Sequence, residues 1–543
     1  MPIHSDAADE TAVDAVPAAE PETPPSRDTA ATSLTAPAVV VAAAAPASPT
    51  DTHQLTAPAP DPDEAVPTYV ILLAMCAALN SCNLGYDIGV NSGVGFHLQA
   101  KGEGMELSDV RLELFFGIFG LAAMVGAAIS YTASDGLGRR KAFACTSVAF
   151  IIGVLWTATA TSYASLLCGR FVTGLGVGLG LAIDPVYIGE VSPPQHRGRL
   201  VTWSETATNV GILLGFISGF AFRDAGEGGW RAMIALGAVI PCVLLVLIKT
   251  FMPESPRWLV AKGRSEEARL ILRRCYPPSA NTDDVINHIQ AAIEEERRAS
   301  NAYGWSALLI RPTKTTKRML IVGVGIAASQ QLTAIEAIQY YILYILADAG
   351  VKTRSQQFAI LLGIGVIKVL VIVVAGRLFD HPRLGRKPLL TLSNAGCAGC
   401  LVLLALATAT NSAPLAILAL ALYVTFFSLG AGPGIWLVAS EVFSLGIRGK
   451  AMSVATTANR FLATVIGATF LSLKNVLGDV GFLFFFALLC CGNVLFIRCY
   501  VPETKGKLLE EMLVYFEELS GESRKAIELV PTPGVPRAES ALV

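Results

Sequence analysis

The chain has 543 residues, 53% of them hydrophobic and only 15% charged, with a mean hydropathy of +0.55 and a formal net charge of −2. That is too apolar for an ordinary soluble domain, and the near-zero charge leaves no broad basic footprint for nucleic acid. Its charges fall between apolar runs of roughly 20 residues, about the thickness of a bilayer core, so the chain reads as a polytopic membrane protein in a lipid bilayer.

Residues 1–66 are rich in Ala, Pro, Thr and Asp, with Arg27 the only basic residue, and are expected to be disordered. They have neither the basic start and apolar core of a signal peptide nor a transit-peptide composition. Twelve spans are predicted near 68–90, 110–133, 141–160, 164–190, 199–222, 231–251, 317–347, 357–379, 387–409, 413–443, 450–473 and 480–500. Five domains follow: the acidic N-terminus 1–66, a six-helix bundle 67–251, a linker with short amphipathic helices 252–316, a second bundle 317–500 and a tail 501–543.

Ionisable residues inside spans are costly and are read as functional candidates. Span 1 carries Asp87, placed near its outer end, and span 4 carries Arg170. If the two helices touch, the arginine holds the carboxylate ionised, and a proton arriving from outside would break the pair; the alternative is a static ion pair or a wet Asp87. The glycine run Gly169, Gly174, Gly176, Gly178 and Gly180 is read as helix packing rather than a phosphate loop. Glu205 and Asn209 lie one turn apart on span 5, so both can face one cavity. Span 7 contains Gln330, Gln331 and Glu336, amides and a carboxylate of the kind a polyhydroxylated substrate needs. Lys368 in span 8 is expected to pair with Glu336 or to snorkel to an edge. Trp436 in span 10, between Gly432-Pro433-Gly434 and Leu437, offers an apolar face at a helix expected to kink, and Asn459 with Arg460 adds polar contacts from span 11. Of the eleven cysteines, Cys397 and Cys400 form a C-x-x-C inside a span, without partners for a metal. No cofactor or metal is expected, and no nucleophile–base pattern suggests an enzyme.

The chain also repeats itself. Glu190 with Arg197-Gly198 returns as Glu441 with Arg448-Gly449, Leu137-Gly138-Arg139 as Leu384-Gly385-Arg386, and Pro253-Glu254-Ser255 as Pro502-Glu503-Thr504, each shifted by about 250 residues. A duplicated bundle of spans points to a transporter with its substrate site between two halves. Arg139-Arg140-Lys141, Arg197, Arg199, Arg383, Arg386-Lys387, Arg448 and Lys450 fall on alternate connections together with the linker, which places both termini and the linker in the cytoplasm. Glu190, Arg139 and Arg197, with their repeats Glu441, Arg386 and Arg448, are expected to form ion pairs between helix ends and across the halves that latch the outward-facing state.

Together, Gly85-Tyr86-Asp87, Asp135 to Arg140, Gly169-Arg170, Pro185-Val186-Tyr187-Ile188, Pro253-Glu254-Ser255-Pro256-Arg257-Trp258, Gln330-Gln331-Leu332-Thr333 and Pro502-Glu503-Thr504-Lys505-Gly506 resemble the sugar porter family of the major facilitator superfamily over residues 68–515. Glu205, Glu336, Val366-Ile367-Lys368 and Asn459-Arg460 look most like its plant-type polyol/monosaccharide–proton symporters. The resemblance implies an all-α membrane protein of twelve transmembrane helices in two pseudo-symmetric six-helix halves, working by alternating access. It implies Asp87 as the protonation residue facing Arg170, and Gln330, Gln331, Glu336, Trp436 and Asn459 as substrate contacts; Asp135 belongs to the loop motif of the gating pairs. Ala334 stands where the family usually has glycine and is expected to restrict bending of span 7, and two extra residues in Asp380-His381-Pro382-Arg383 put the Asp380 contact in doubt. The expected partners are a sugar or polyol, protons and lipid, with the proton gradient as co-substrate and a monomeric carrier in the plasma membrane or, alternatively, the vacuolar membrane. An uncoupled facilitator and a transporter-like sugar sensor are the competing readings; Asp87 argues against the first and the short tail against the second.

Overall fold

The computed structural model describes residues 66–521 except 103, 182, 194–195, 278–279, 303–304, 381–383, 445–446 and 506–508. The expected disorder of the N-terminus therefore lies outside the described residues, as do most of the distal tail and the side chain of Asp380 with the loop that follows it. The first half comprises α1 (Thr68–Gln99), α2 (Asp109–Leu137), α3 (Arg139–Ala158), α4 (Tyr163–Leu181) continued by α5 (Ile183–Val191), α6 (Arg197–Phe222), and α7 (Gly226–Leu236) continued by α8 (Val239–Thr250). Four short helices follow, α9 (Pro256–Ala261), α10 (Ser265–Cys275), α11 (Thr282–Ala302) and α12 (Trp305–Leu309). The second half comprises α13 (Lys314–Leu332), α14 (Ile335–Asp348), α15 (Arg354–Asp380), α16 (Arg386–Ala409), α17 (Ala413–Phe426), a π turn at Phe427–Ala431, α18 (Gly432–Val442) and α19 (Arg448–Tyr500), and α20 (Leu509–Ser520) closes the described chain.

Eleven helical stretches among the described residues are long and apolar enough to cross a membrane. The last, α19, has 53 residues, but Gly478 interrupts it with φ 77° and ψ 166°. A straight helix of that length would run about 80 Å, more than twice a bilayer core, so α19 has the length of two passes, one on each side of Gly478. Span 1 differs from its expected extent: α1 continues nine residues past residue 90 to Gln99, which puts Asp87 well inside the helix.

The glycine run of α4 sorts its members among three neighbours. A Cβ on Gly174 or Gly178 would fall 2.4 Å from Phe119 O or 2.1 Å from Ala123 O of α2, and one on Gly169 would fall 2.5 Å from Thr157 Oγ1 of α3. One on Gly180 would fall 2.2 Å from Asn80 Nδ2 of α1. Small residues thus set the backbone separation, the usual means of helix association where no hydrophobic drive separates protein from lipid.

The two halves meet through α2 with α19, α6 with α15 and α1 with α14. At the end away from the linker they are closed. The rings of Phe116 and Tyr340 stack at 4.7 Å, Tyr344 Oη donates to Gln99 Oε1 at 2.7 Å, and Ser472 donates its N–H and hydroxyl to the carboxylate of buried Glu113 at 2.7 and 2.5 Å. At the linker end, α9 to α11 share a small core of Leu259, Val260, Ala268, Leu272 and Ile286. There α20 packs on α13 and α18, burying Met512 and Phe516.

Span 7 breaks between α13 and α14, which corrects the expectation that Ala334 would restrict bending. Ala334 itself takes the left-handed conformation, φ 64° and ψ 21°. Its Cβ makes that costly by about 1–2 kcal/mol, so the surroundings must hold it there. They do: Tyr423 Oη donates to the Thr333 carbonyl at 2.6 Å, and Thr333 Oγ1 donates to the Gln330 carbonyl at 2.6 Å. A carbonyl freed in a membrane protein has to find such a donor. Replacing Tyr423 by Phe is expected to lower stability by about 1–3 kcal/mol, whereas Ala334→Gly should raise it by up to about 1 kcal/mol, read as opposite shifts of the thermal midpoint in detergent.

Candidate functional site

Asp87 and Arg170 are both buried and face one another from α1 and α4. Arg170 Nη1 and Nη2 donate to Asp87 Oδ1 and Oδ2 at 2.5 and 3.1 Å, a bidentate fork. Asn91 Nδ2, one turn further along α1, donates to Asp87 Oδ2 at 2.9 Å. The guanidinium lies over the rings of Phe115 and Phe119, 4.7 and 4.4 Å from their centroids, so the charge is clamped between aromatic faces of α2. A small pocket beside the pair is lined by Val90, Phe150, Thr157, Thr173 and Ile234, all of the first half.

In the second half the break in span 7 brings Gln330 and Gln331 to the same side as Glu336. Asn459 of α19 joins them: its Nδ2 donates to Gln330 Oε1 at 3.0 Å, and its Oδ1 accepts from Gln331 Nε2 at 3.3 Å. Gln331 Nε2 also donates to Glu336 Oε1 at 3.0 Å, and Arg460 Nη2 donates to that same oxygen at 2.8 Å. Gln330 Nε2 reaches the carbonyls of Ala431 and Gly432 at 3.4 and 3.3 Å, where the π turn interrupts span 10. Trp436 sits half-buried one turn beyond that break. From the first half, Glu205 on α6 places Oε1 3.8 Å from where a Cβ on Gly432 would lie. Buried Asn209 donates Nδ2 to the Glu205 carbonyl at 2.8 Å, and its Oδ1 has no hydrogen-bond partner.

One pairing differs from expectation. Lys368 does not pair with Glu336; its Nζ donates to Gln339 Oε1 at 3.1 Å, and Arg460 takes the glutamate. Arg460 reaches Glu336 from the facing helix α19 with a planar fork that also holds Asn459.

The motifs repeated at a constant offset form braces inside each half in this far-end-closed conformation; the pairs across the halves are expected of the outward-facing one. Arg139 binds Glu190 through Nε and Nη2 at 2.9 Å each and Asp135 at 2.8 Å. Arg386 binds Glu441 at 2.7 Å. Arg197 is exposed and makes no ion pair among the described residues, and Arg448 Nε donates to the Phe443 carbonyl at 3.5 Å. Each glutamate is already satisfied by an arginine of its own half, so no carboxylate is left to reach the other. Residues that sequence reasoning quoted only as motif members complete the brace. Glu254 accepts from Arg139 N and Arg140 N at 2.8 and 3.2 Å, and Glu503 accepts from Arg386 N and Lys387 N at 2.9 and 3.1 Å, each carboxylate capping a helix N-terminus. Gly138 and Gly385 leave room for those carboxylates, since a Cβ would fall 2.4 and 2.2 Å from their Oε2 atoms. Glu113 at the far seal and Asp184 on α5 were missed, although charged residues within apolar spans were the signal that found Asp87.

Among the described residues no group of three or more His, Cys, Asp or Glu side chains could hold a metal ion, and Cys397 and Cys400 are free thiols. Two pseudo-symmetric helical halves, a polar network at broken helices in their seam and a separate buried ion pair define a membrane carrier of small polar solutes. The family described as "Sugar (and other) transporter" matches residues 73–516, and the chain belongs to it. Probable polyol transporter 4 of Arabidopsis thaliana is 35% identical, over 83% of this chain and 85% of its own length. Putative polyol transporter 1 of the same plant is 36% identical over 82% and 91%. Among solved structures, the proton:xylose symporter XylE bound to 6-bromo-6-deoxy-D-glucose superposes with a TM-score of 0.70 at 26% identity, covering 83% of this chain and 99% of that one. An inward-open form of XylE from E. coli gives 0.70 at 25% identity, over 82% and 99%.

Gly385→Ala is expected to push Glu503 off the start of α16 and loosen the second brace, while Gln at 503 keeps the shape and loses the charge. Both should raise protease access or cysteine labelling at 384–387, Gly385→Ala the more, with the Arg386–Glu441 pair costing about 1–3 kcal/mol when disrupted.

Proposed function

We propose that the protein is a proton-coupled symporter of sugars or polyols that works by alternating access. The observation that carries this reading is the buried Asp87–Arg170 fork, held apart from the polar network of Gln330, Gln331, Glu336, Asn459 and Arg460 yet lying on α1, the helix that packs against α14 of the second half. In this reading the network, with Glu205, Asn209 and Trp436 facing it, exchanges its internal hydrogen bonds for those of substrate hydroxyls. A proton that reaches Asp87 while the far end is open removes the charge that Arg170 answers, and the loaded carrier then closes that end with the seal of Phe116, Tyr340 and Glu113. Loss of the proton toward the linker side restores the ionised fork.

The linker end is assigned to the cytoplasm, with both termini there, from the basic residues of the connections. The braces around Arg139 and Arg386 then keep each half rigid as it rocks. A monomer in the plasma membrane is the expected form, with the vacuolar membrane as the alternative. The relatives named as polyol transporters, and the solved proton:xylose symporter, support both the substrate class and the coupling.

Uptake of radiolabelled glucose, sorbitol, mannitol and myo-inositol in transport-deficient yeast, with and without a protonophore, tests the reading. Asp87→Asn is expected to abolish uphill accumulation while leaving counterflow exchange. Accumulation unchanged in that variant and sensitive to external pH as before would overturn the assignment. Gln331→Ala, which removes donors to Glu336 and Asn459, is expected to raise KM about tenfold, the equivalent of one lost hydrogen bond of ~1.4 kcal/mol, with the proton dependence retained.

A further inference from the structure

Asp184 is fully buried on α5 and has no counter-ion among the described residues. Asn80 Nδ2 donates to its Oδ1 at 2.9 Å and the Ser81 hydroxyl donates to its Oδ2, both from α1. Thr146 of α3 reaches the same Asn80 at 3.4 Å. The charged groups on neighbouring elements are engaged elsewhere: Arg170 of α4 with Asp87, and Arg139 of α3 with Asp135 and Glu190. Glu205 lies on α6 and Arg257 on α9, and Tyr187, one turn along α5, donates to the Pro253 carbonyl. An ionised carboxylate so placed is expensive, so its charge state must follow the supply of protons.

The second half shows that nothing in the architecture demands an acid there. Gln330 lies 250 residues after Asn80, and it donates to backbone carbonyls of Ala431 and Gly432 at the break in span 10. A neutral acceptor suffices to hold that amide.

Between Asp184 and Asp87 runs a polar stripe on α1. Asn80, Asn83, Asp87 and Asn91 recur at spacings of three and four, one helical face. Asn80 and Asp87 are about 10 Å apart along the axis at 1.5 Å per residue. Asn83, midway and only 2% exposed, has no hydrogen-bond partner at either amide atom. A buried amide in that condition is a place for water to bridge polar groups.

We propose that Asp184 is a second proton-binding carboxyl, an inner relay that receives the proton from Asp87 past Asn83 and releases it at the linker end. The proposal rests on the symport reading. In the step, the O–H bond of protonated Asp87 breaks and one forms on Asp184. Asp87 becomes the carboxylate paired with Arg170, Asp184 becomes the neutral acid, and its proton then passes to water on the linker side.

The test is Asp184→Asn, Asn83→Leu and Asp184→Glu in proteoliposomes, reading proton-driven uptake, counterflow exchange and the effect of internal pH. The first two variants are expected to slow proton-driven uptake about tenfold and flatten its dependence on internal pH, while counterflow stays near wild type and Asp184→Glu restores part of the uptake. The infrared band of a protonated buried carboxyl should be present in wild type and lost in Asp184→Asn. Wild-type internal-pH dependence in both Asp184→Asn and Asn83→Leu would overturn the relay and leave symport standing. Equal loss of uptake and counterflow in Asn83→Leu, with no titrating band assignable to Asp184, would also overturn it in favour of a packing role. Wild-type uptake that ignores a protonophore would instead overturn the symport reading itself.

Discussion

Hydrocarbon supplies neither water nor counter-ions, so every ionised group between these helices has to be answered inside the protein. That constraint divides the molecule into parts that cannot move and parts that can. Arg139 with Glu190, Arg386 with Glu441, and the carboxylates of Glu254 and Glu503 on helix N-termini all close within one half. Separating any of them would strand a charge, so each half behaves as a body. What joins the halves at the far end is of another kind: stacked rings, a tyrosine–glutamine hydrogen bond, and a glutamate that accepts from one serine. Those contacts can be exchanged for water or substrate at small cost, and a rocking seam requires that.

The duplication is kept in position and altered in chemistry. Glu336 follows Asp87 by 249 residues and Asn459 follows Asn209 by 250, the same offset as the braces. Both acids sit on the first helix of their half and both are answered by arginine. The arginine differs: Arg170 comes from span 4 and forms a two-oxygen fork with Asp87, whereas Arg460 comes from span 11 and shares one oxygen of Glu336 with Gln331. The first is a closed pair between aromatic rings and the second an open network with amides to spare. One scaffold thus holds a closed ion pair in one half and an open network of amides in the other.

Much of this was legible in the sequence. Apart from span 1, which runs nine residues further, repeat spacing and apolar runs marked the spans to within a few residues, because burial in lipid leaves a strong and simple signal. The in-span rule also singled out Asp87, Arg170 and Glu336. It could not say which charge meets which. Lys368 was expected to pair with Glu336 and Arg460 only to add polar contacts; which of them reaches the glutamate depends on which neighbouring helix presents its charge, a matter of tertiary packing. The repeated motif left a related question open, because it is equally consistent with pairing within halves or between them; with the far end closed, Arg139–Glu190 and Arg386–Glu441 pair within halves. Ala334 misled through propensity, since tertiary hydrogen bonds from Tyr423 hold a left-handed residue that local preference opposes.

The broken helices complete the argument. Span 7 is interrupted at Ala334 and span 10 at the π turn, and both breaks face the same cluster of amides. A continuous helix consumes its own carbonyls and can offer only side chains to a solute. A broken one exposes backbone acceptors, and the protein must then cover them while no substrate is bound. Gln330 does this for Ala431 and Gly432, and Asn459 holds Gln330 in turn. The residues read as substrate contacts are therefore the same ones that keep the empty seam satisfied. A polyhydroxylated solute would replace one set of hydrogen bonds by another of similar strength, so modest binding and ready release follow from the same geometry.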